Sequence, residues 1–188
     1  MEQSARVEQA VEALRSGRAV IFPTDTVYGL GVSVEHAPSP QELFDLKHRD
    51  AGKPIAWLVG SLEDLDVYGA NVPDAARAAA REQWPGALTL IVRASDRVPA
   101  AFASARGTIG LRMPGNPTAL ELIRRVGCPL ATTSANASGQ PAPYEVAEIA
   151  PDLAASVGCV LADDLPKSGV ASTILDCTGA EPVVLRQG

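Results

Sequence analysis

The chain has no cysteines paired for cross-linking or for zinc. Cys128, Cys159 and Cys177 are odd in number, widely spaced and free of CxxC spacing, which argues against a disulfide framework or a structural zinc site and fits a reducing cytoplasm. Positive charge is also short. The 16 Lys and Arg stand against 22 Asp and Glu, for a net charge of −6, which excludes a broad phosphate-binding surface and leaves room only for a local anion pocket. Direct binding of nucleic acid is expected to be weak or absent. No apolar run approaches membrane-spanning length, and residues 2–6 alternate charge and polarity with no apolar stretch behind them, so neither a membrane span nor an export signal is expected. Walker A and GxGxxG sequences are missing too, so a bound nucleotide would need another phosphate-holding device. His36 and His48 have no Asp or Cys at ligand spacing and read as surface residues. Internal repeats and low-complexity segments are absent.

What remains suits an ordinary enzyme-sized domain. With 188 residues and 46% hydrophobic content, the chain can bury a core, and residues 1–188 read as one domain. Val7, Ala10, Val11 and Leu14 recur at helical spacing, giving a helix over 4–16. Ala19-Val20-Ile21-Phe22 is a continuous apolar strand, and the residues after it, 23–31, read as a loop rich in Thr, Asp and Gly. Open α/β sheets usually bind ligands in such loops at strand C-termini. Helices are predicted over 40–47, 73–84, 116–126 and 145–149, with a short one capped by Ser61. Strands are predicted over 55–59, 88–92, 108–113, 129–133 and 159–162, and a hairpin over 172–176 and 182–186 turning through Gly179. Asn116-Pro117 and Gly127 mark the ends of one helix, and Ser39, Pro40 and Glu42 suggest a capping box at another. The segment around Pro99 and Phe102 reads as a loop able to cover a site. Mixed β and α elements closed by a hairpin give an α/β fold with a twisted mixed sheet flanked by helices.

Lys47, Arg49 and Lys53 place three cations within seven residues of this acidic chain. Two readings apply. Cations at a helix C-terminus complement its dipole, and a cluster of cations can also gather phosphates and carboxylates. Ser134-Ala135-Asn136, directly after an apolar strand, adds hydroxyl and amide groups that suit either a turn or an anion site. Asp163-Asp164 reads as a solvated loop pair or as a seat for Mg²⁺, which needs only one or two carboxylates when a nucleotide supplies phosphate oxygens. Tyr28 and Trp57 either stack on a ligand or fill the core. Phosphoryl transfer depends chiefly on positioning and charge neutralisation, so no general base is required if the nucleophile is already an anion.

Taken in order, Pro-Thr-Asp-Thr-Val-Tyr-Gly-Leu at 23–30, Lys47-x-Arg49 with Lys53-Pro54, Trp84-Pro85-Gly86 with Leu88-Thr89-Leu90, and Gly110-Leu111-Arg112-Met113-Pro114 are followed by Thr132-x-Ser134-Ala135-Asn136 and by Ser172-Thr173 with Leu185-Arg186. Across residues 18–188 this series resembles the threonylcarbamoyl-AMP synthase family. The resemblance implies a YrdC-like α/β fold and a nucleotidyltransferase reaction. In it, L-threonine, bicarbonate and ATP give threonylcarbamoyl-adenylate and pyrophosphate, for N6-threonylcarbamoyladenosine in tRNA. It further implies that Lys47, Arg49, Ser134 and Asn136 are catalytic and that Arg49, Lys53, Thr108, Ser134 and Arg186 hold ATP. Thr26, Arg112, Thr132 and Ser172 would hold threonine, and Mg²⁺ would arrive on ATP rather than on a protein metal site. The product would pass to a tRNA threonylcarbamoyl-transferase complex. Some members carry His near Leu58 and Ser at Ala142, so the chain departs from the family there. The end at Gly188 resembles the short form of the family. Two other functions share these features: an RNA-binding or ribosome-maturation module, and a carbamoyl-adenylate-forming carbamoyltransferase domain.

Overall fold

The computed structural model describes residues 2–48 and 55–188, with only the backbone of Glu2. Helix α1 (Glu2–Arg15) leads into β1 (Val20–Phe22) and β2 (Gly29–Ser33), followed by α2 (Gln41–Lys47) and β3 (Ala56–Leu58). Next come α3 (Asp64–Tyr68), β4 (Gly69–Ala70), α4 (Asp74–Gln83), β5 (Leu88–Ala94) and β6 (Thr108–Arg112). Helix α5 (Pro117–Val126) precedes β7 (Leu130–Ser134), a 3₁₀ turn over Val146–Glu148, and α6 (Pro151–Ser156). Strands β8 (Cys159–Val160), β9 (Thr173–Asp176) and β10 (Val183–Arg186) complete the chain. The sheet is mixed, in the order β10-β9-β5-β6-β3-β7-β2-β1-β8, with β4 pairing with β5 off that path. The α/β class and the twisted mixed sheet with helices follow the sequence expectation.

Alternation along the strands divides the sheet into two unlike faces. Register places Val32, Ala131, Trp57, Leu111 and Leu90 side by side across β2, β7, β3, β6 and β5, and all five are fully buried. Trp57 packs edge-on against Tyr68 and Phe102, with ring centroids 5.2 and 5.8 Å away. Its indole N–H has no hydrogen-bond partner among the described residues. The neighbouring row on the opposite face is small or polar: Gly31, Thr132, Ala56 and Gly110. That face carries the functional cleft.

Several local readings need correction. The predicted loop 23–31 becomes strand from Gly29 onward. Its glycines hide the alternation, yet a Cβ on Gly31 would stand 2.9 Å from both Phe22 Cε1 and Thr132 Oγ1. The strand exists because β1 and β7 pair with it. No capping box forms at α2: Pro40 occupies the N-cap, while the Glu42 carboxylate accepts the Ala19 amide at 3.0 Å. Ser39 Oγ still accepts the Gln41 amide, at 3.3 Å. At α3 it is Asp64 that reaches back, accepting the Gly60 and Ser61 amides at 2.9 Å each. The helix expected over 145–149 is one 3₁₀ turn with its own Glu145–Glu148 capping box, and α6 had no clear sequence signal. The strand expected over 159–162 is confined to Cys159–Val160.

Candidate functional site

A cleft of about 280 Å³ opens on the small, polar face of the sheet. Its wall includes Thr26 from the β1–β2 turn, Arg112 at the end of β6, Thr132 and Ser134 on β7, Ser172 before β9, and Arg186 on β10. These six residues come from five segments spread over 160 positions, and the sheet register brings them together. The site combines a face of the sheet with the strand-end loop expected from sequence: Thr24, Thr26, Val27 and Tyr28 follow β1, and Arg112 and Ser134 are the last residues of β6 and β7.

Arg112 is the most constrained of them. It is 6% exposed, and its Nε donates to the Gly86 carbonyl at 2.9 Å. Nη1 donates to Thr26 Oγ1 at 3.0 Å, and Nη2 donates to Asp25 Oδ1 at 2.7 Å. Burial pushes the guanidinium pKa down, and the Asp25 carboxylate opposes that shift. Asp25 is itself oriented, because Oδ1 also accepts the Gly115 amide at 2.8 Å. Thr24 Oγ1 lies 3.0 Å from Thr26 Oγ1 and accepts the Val27 amide, which closes the turn. Asp25 and Thr24 were not singled out from sequence. The only signal was one carboxylate inside a threonine-rich turn after a buried strand.

Across the cleft, Ser172 Oγ lies 2.8 Å from Thr89 Oγ1. Arg186 Nε and Nη2 both donate to the Ser172 carbonyl, at 2.9 and 2.7 Å, so β10 delivers its guanidinium to the site. Partial burial lowers the Arg186 pKa, though an arginine remains a cation at neutral pH. Thr132 Oγ1 donates to its own strand at the Leu130 carbonyl, 2.9 Å away. The cation Lys47 is only 2% exposed. Its Nζ donates to the Ser134 and Asn136 carbonyls and lies 3.4 Å from Asn136 Oδ1. Lys47, Ser134 and Asn136 are therefore one cluster, with Ser134 on the cleft wall. Arg49 and Lys53 lie outside the described residues.

Thr108 lines an adjoining, mostly apolar cavity of about 270 Å³ with Phe44, Phe102 and Ser104. The two spaces share Ala56, Thr89 and Ile174. Thr108 Oγ1 is 2.7 Å from Ser104 Oγ, and the Pro99–Phe102 segment folds onto this cavity through Phe102. Leu58 and Ala142, where the sequence departs from the family pattern, both line the polar cleft. Asp163 is neither a solvated loop residue nor open to a metal: its carboxylate pairs with Lys167 Nζ at 2.8 Å, and both side chains are at most 5% exposed. Among the described residues no three His, Cys, Asp or Glu side chains group as metal ligands. Tyr28 and Trp57 are both buried, though Tyr28 also contributes to the cleft wall. His48 ends α2 in a left-handed conformation, φ 49°, and His36 Nδ1 meets Ser33 Oγ at 2.8 Å.

The fold and the site together define an α/β domain with a cation-lined, hydroxyl-rich cleft beside an apolar pocket. Residues 12–188 match the Sua5/YciO/YrdC family model, described as "Telomere recombination", and the chain belongs to that family. It is 36% identical over 183 residues to a threonylcarbamoyl-AMP synthase of Pyrococcus abyssi, covering 97% of this chain and 54% of that protein. It is 38% identical over 187 residues to a putative threonylcarbamoyl-AMP synthase of Mycobacterium tuberculosis, covering all of this chain and 86% of that one. A crystal structure of P. abyssi Sua5 complexed with L-threonine superposes with a TM-score of 0.90 at 36% identity, over 96% of this chain and 53% of that chain. The chain thus spans about half the length of the P. abyssi relative. No helix among the described residues is long and apolar enough to cross a membrane.

Proposed function

We propose that the chain is an L-threonylcarbamoyladenylate synthase, forming threonylcarbamoyl-AMP and pyrophosphate from L-threonine, bicarbonate and ATP. The observation that carries this reading is the convergence of Thr26, Arg112, Thr132, Ser134, Ser172 and Arg186 on one cleft. The solved P. abyssi relative with L-threonine supports threonine as the amino acid. In this reading the carboxylate of threonine pairs with Arg112, whose planar fork suits a carboxylate, while Thr26, Thr132 and Ser172 supply hydroxyls. The carboxylated amine is the nucleophile. Its carbamate oxygen attacks the α-phosphorus of ATP, an O–P bond forms, and the bond from that phosphorus to pyrophosphate breaks.

The nucleotide lies across the shared wall, with its nucleoside in the apolar cavity beside Thr108 and its phosphates near Ser134 and Arg186. Arg49 and Lys53 complete the phosphate site, and Mg²⁺ enters on ATP as part of the substrate. Lys47 and Asn136 shape the turn that presents Ser134, and the Lys47 charge lies behind it. The chemistry is charge neutralisation and positioning. The product serves N6-threonylcarbamoyladenosine formation in tRNA through a separate transfer complex in the cytoplasm, and the acidic chain itself binds tRNA weakly or not at all.

Pyrophosphate release with each substrate omitted in turn is the test. Release should require threonine and bicarbonate together. Equal release without threonine would overturn the assignment.

A further inference from the structure

Residues 163–172, which lead from β8 to the cleft wall, contain no regular secondary structure, yet they hold one side of the site. The Ser168 amide donates to the Asp25 carbonyl at 3.1 Å and the Gly169 amide to the Thr26 carbonyl at 2.9 Å. Ala171 and Ser172 then line the cleft. Asp25 and Thr26 are the two residues whose side chains fix Arg112 Nη2 and Nη1. Whatever holds this segment in register therefore holds the arginine's partners. Without a strand ladder beyond those two backbone bonds, side chains share that task.

One buried cluster meets the need. Lys167 Nζ donates to Asp163 Oδ1 at 2.8 Å and to the Leu165 carbonyl at 2.9 Å, and it stands 4.8 Å above the Tyr28 ring. The other carboxylate oxygen of Asp163 accepts Asn116 Nδ2 at 2.8 Å. Asn116 Oδ1 in turn caps α5 by accepting the Ala119 amide at 3.0 Å. The side chains of Lys167 and Asp163 are 3% and 5% exposed. Burying such a pair is costly, and apolar residues of similar volume are often as stable, so stability alone is a poor reason for it. A pair tied at one end to α5 and at the other to Tyr28, directly after the Thr24–Thr26 turn, does fix the position of the segment between them.

We propose that Lys167 is a positioning residue for the threonine side of the cleft, clamping segment 163–172 onto the Thr24–Thr26 turn through Asp163 and Asn116. The proposal rests on the synthase reading for its substrate, and on geometry alone for the clamp.

The test compares the wild type with Lys167→Met and with the neutral double variant Asp163→Asn/Lys167→Met, which leaves no unpaired charge to unfold the chain. Two readouts are taken: amide hydrogen exchange at Ser168 and Gly169 without substrates, and the threonine and ATP dependence of pyrophosphate release. In the double variant we expect faster exchange at both amides and a threonine KM raised about tenfold, with the KM for ATP changed less than about twofold. Lys167→Met should show a larger effect in the same direction, or fail to fold where the double variant folds. Wild-type exchange at Ser168 and Gly169 in the double variant overturns the proposal. So does faster exchange with an unchanged threonine KM, since the clamp then positions nothing that the reaction uses. A wild type that releases no pyrophosphate overturns the synthase reading instead, and the exchange data alone then decide the clamp.

Discussion

Arg112 and Arg186 line the same cleft, but Arg112 is buried and tied to a carboxylate, a hydroxyl and a carbonyl, whereas Arg186 reaches in from the β10 edge of the sheet and, among the described residues, leans on Ser172. Arg112 has its charge answered by Asp25 inside the protein, so it is a fixed part of the scaffold as well as a ligand for a carboxylate. Arg186 donates to neutral oxygens, and its charge is available to an incoming anion. The contrast separates the two substrates physically: the preorganised arginine suits a small amino acid, and the arginine on the rim suits a polyphosphate.

The comparison breaks first at Arg112. Arg112→Ala should abolish threonine-dependent turnover and lower stability by about 3–5 kcal/mol, because it leaves the Asp25 carboxylate without its partner. Chemical denaturation with parallel rate measurements checks both halves, and a variant as stable as wild type would remove the scaffold role. Next in size is Lys47→Ala. A buried ammonium donating to two carbonyls predicts a loss of about 1.5–3 kcal/mol, above the roughly 0.3–1 kcal/mol of a cation that only complements a helix dipole. Turnover should fall with it, since Ser134 loses its support.

Arg186→Ala sharpens the contrast from the other side. Loss of one charge-assisted contact should weaken ATP binding by about 1.5–3 kcal/mol, or roughly 10- to 150-fold, with threonine affinity and melting temperature nearly unchanged. Calorimetric titration of ATP into both proteins decides, and Lys at 186 should rescue only in part, lacking the planar fork. The smallest effect belongs to Glu121, on the exposed face of α5, whose carboxyl is held down to about 2 by Arg124 and Arg125. A folded-state pKa below the ordinary 4.5 means that its contribution is present above that value and lost as pH falls toward 2. Glu121→Gln should flatten stability over that window only slightly, because exposed pairs contribute little. Acid titration of the melting temperature would show it.

How much of this was legible depended on whether a residue's role is local. Helix α5 could be read outright, since Asn116 caps it through Ala119 and Gly127 ends it at φ 92°. Those signals act within one turn of chain. Strand β2 could not be read, because Gly29 and Gly31 carry no alternation and the strand is defined by what pairs with it. The same division holds in the site. Thr26, Arg112, Thr132, Ser134, Ser172 and Arg186 could be named from ordered motifs, and they fall on one cleft. Asp25 opposite Arg112, Thr89 opposite Ser172 and Lys167 beside Tyr28 could not, since each partnership spans tens of residues or lies outside any helix that would give the spacing meaning. The burial of Lys47 was hidden for a related reason. A lysine at a helix end is normally solvated, and among the described residues the turn after β7 folds over this one, through the Ser134 and Asn136 carbonyls.

The indole of Trp57, which has no hydrogen-bond partner among the described residues, makes the molecule its own optical gauge. Its ring touches Phe102, and Phe102 is part of the wall of the apolar cavity, so a guest in that cavity changes the surroundings of a chromophore it never touches. Emission from an indole fully buried from solvent falls toward the blue end of the tryptophan range, and the second tryptophan, Trp84, lies outside the lining of that cavity and donates to the Leu88 carbonyl at 2.8 Å. Occupancy of the cavity can therefore be followed in the native chain by fluorescence, with no label and no turnover.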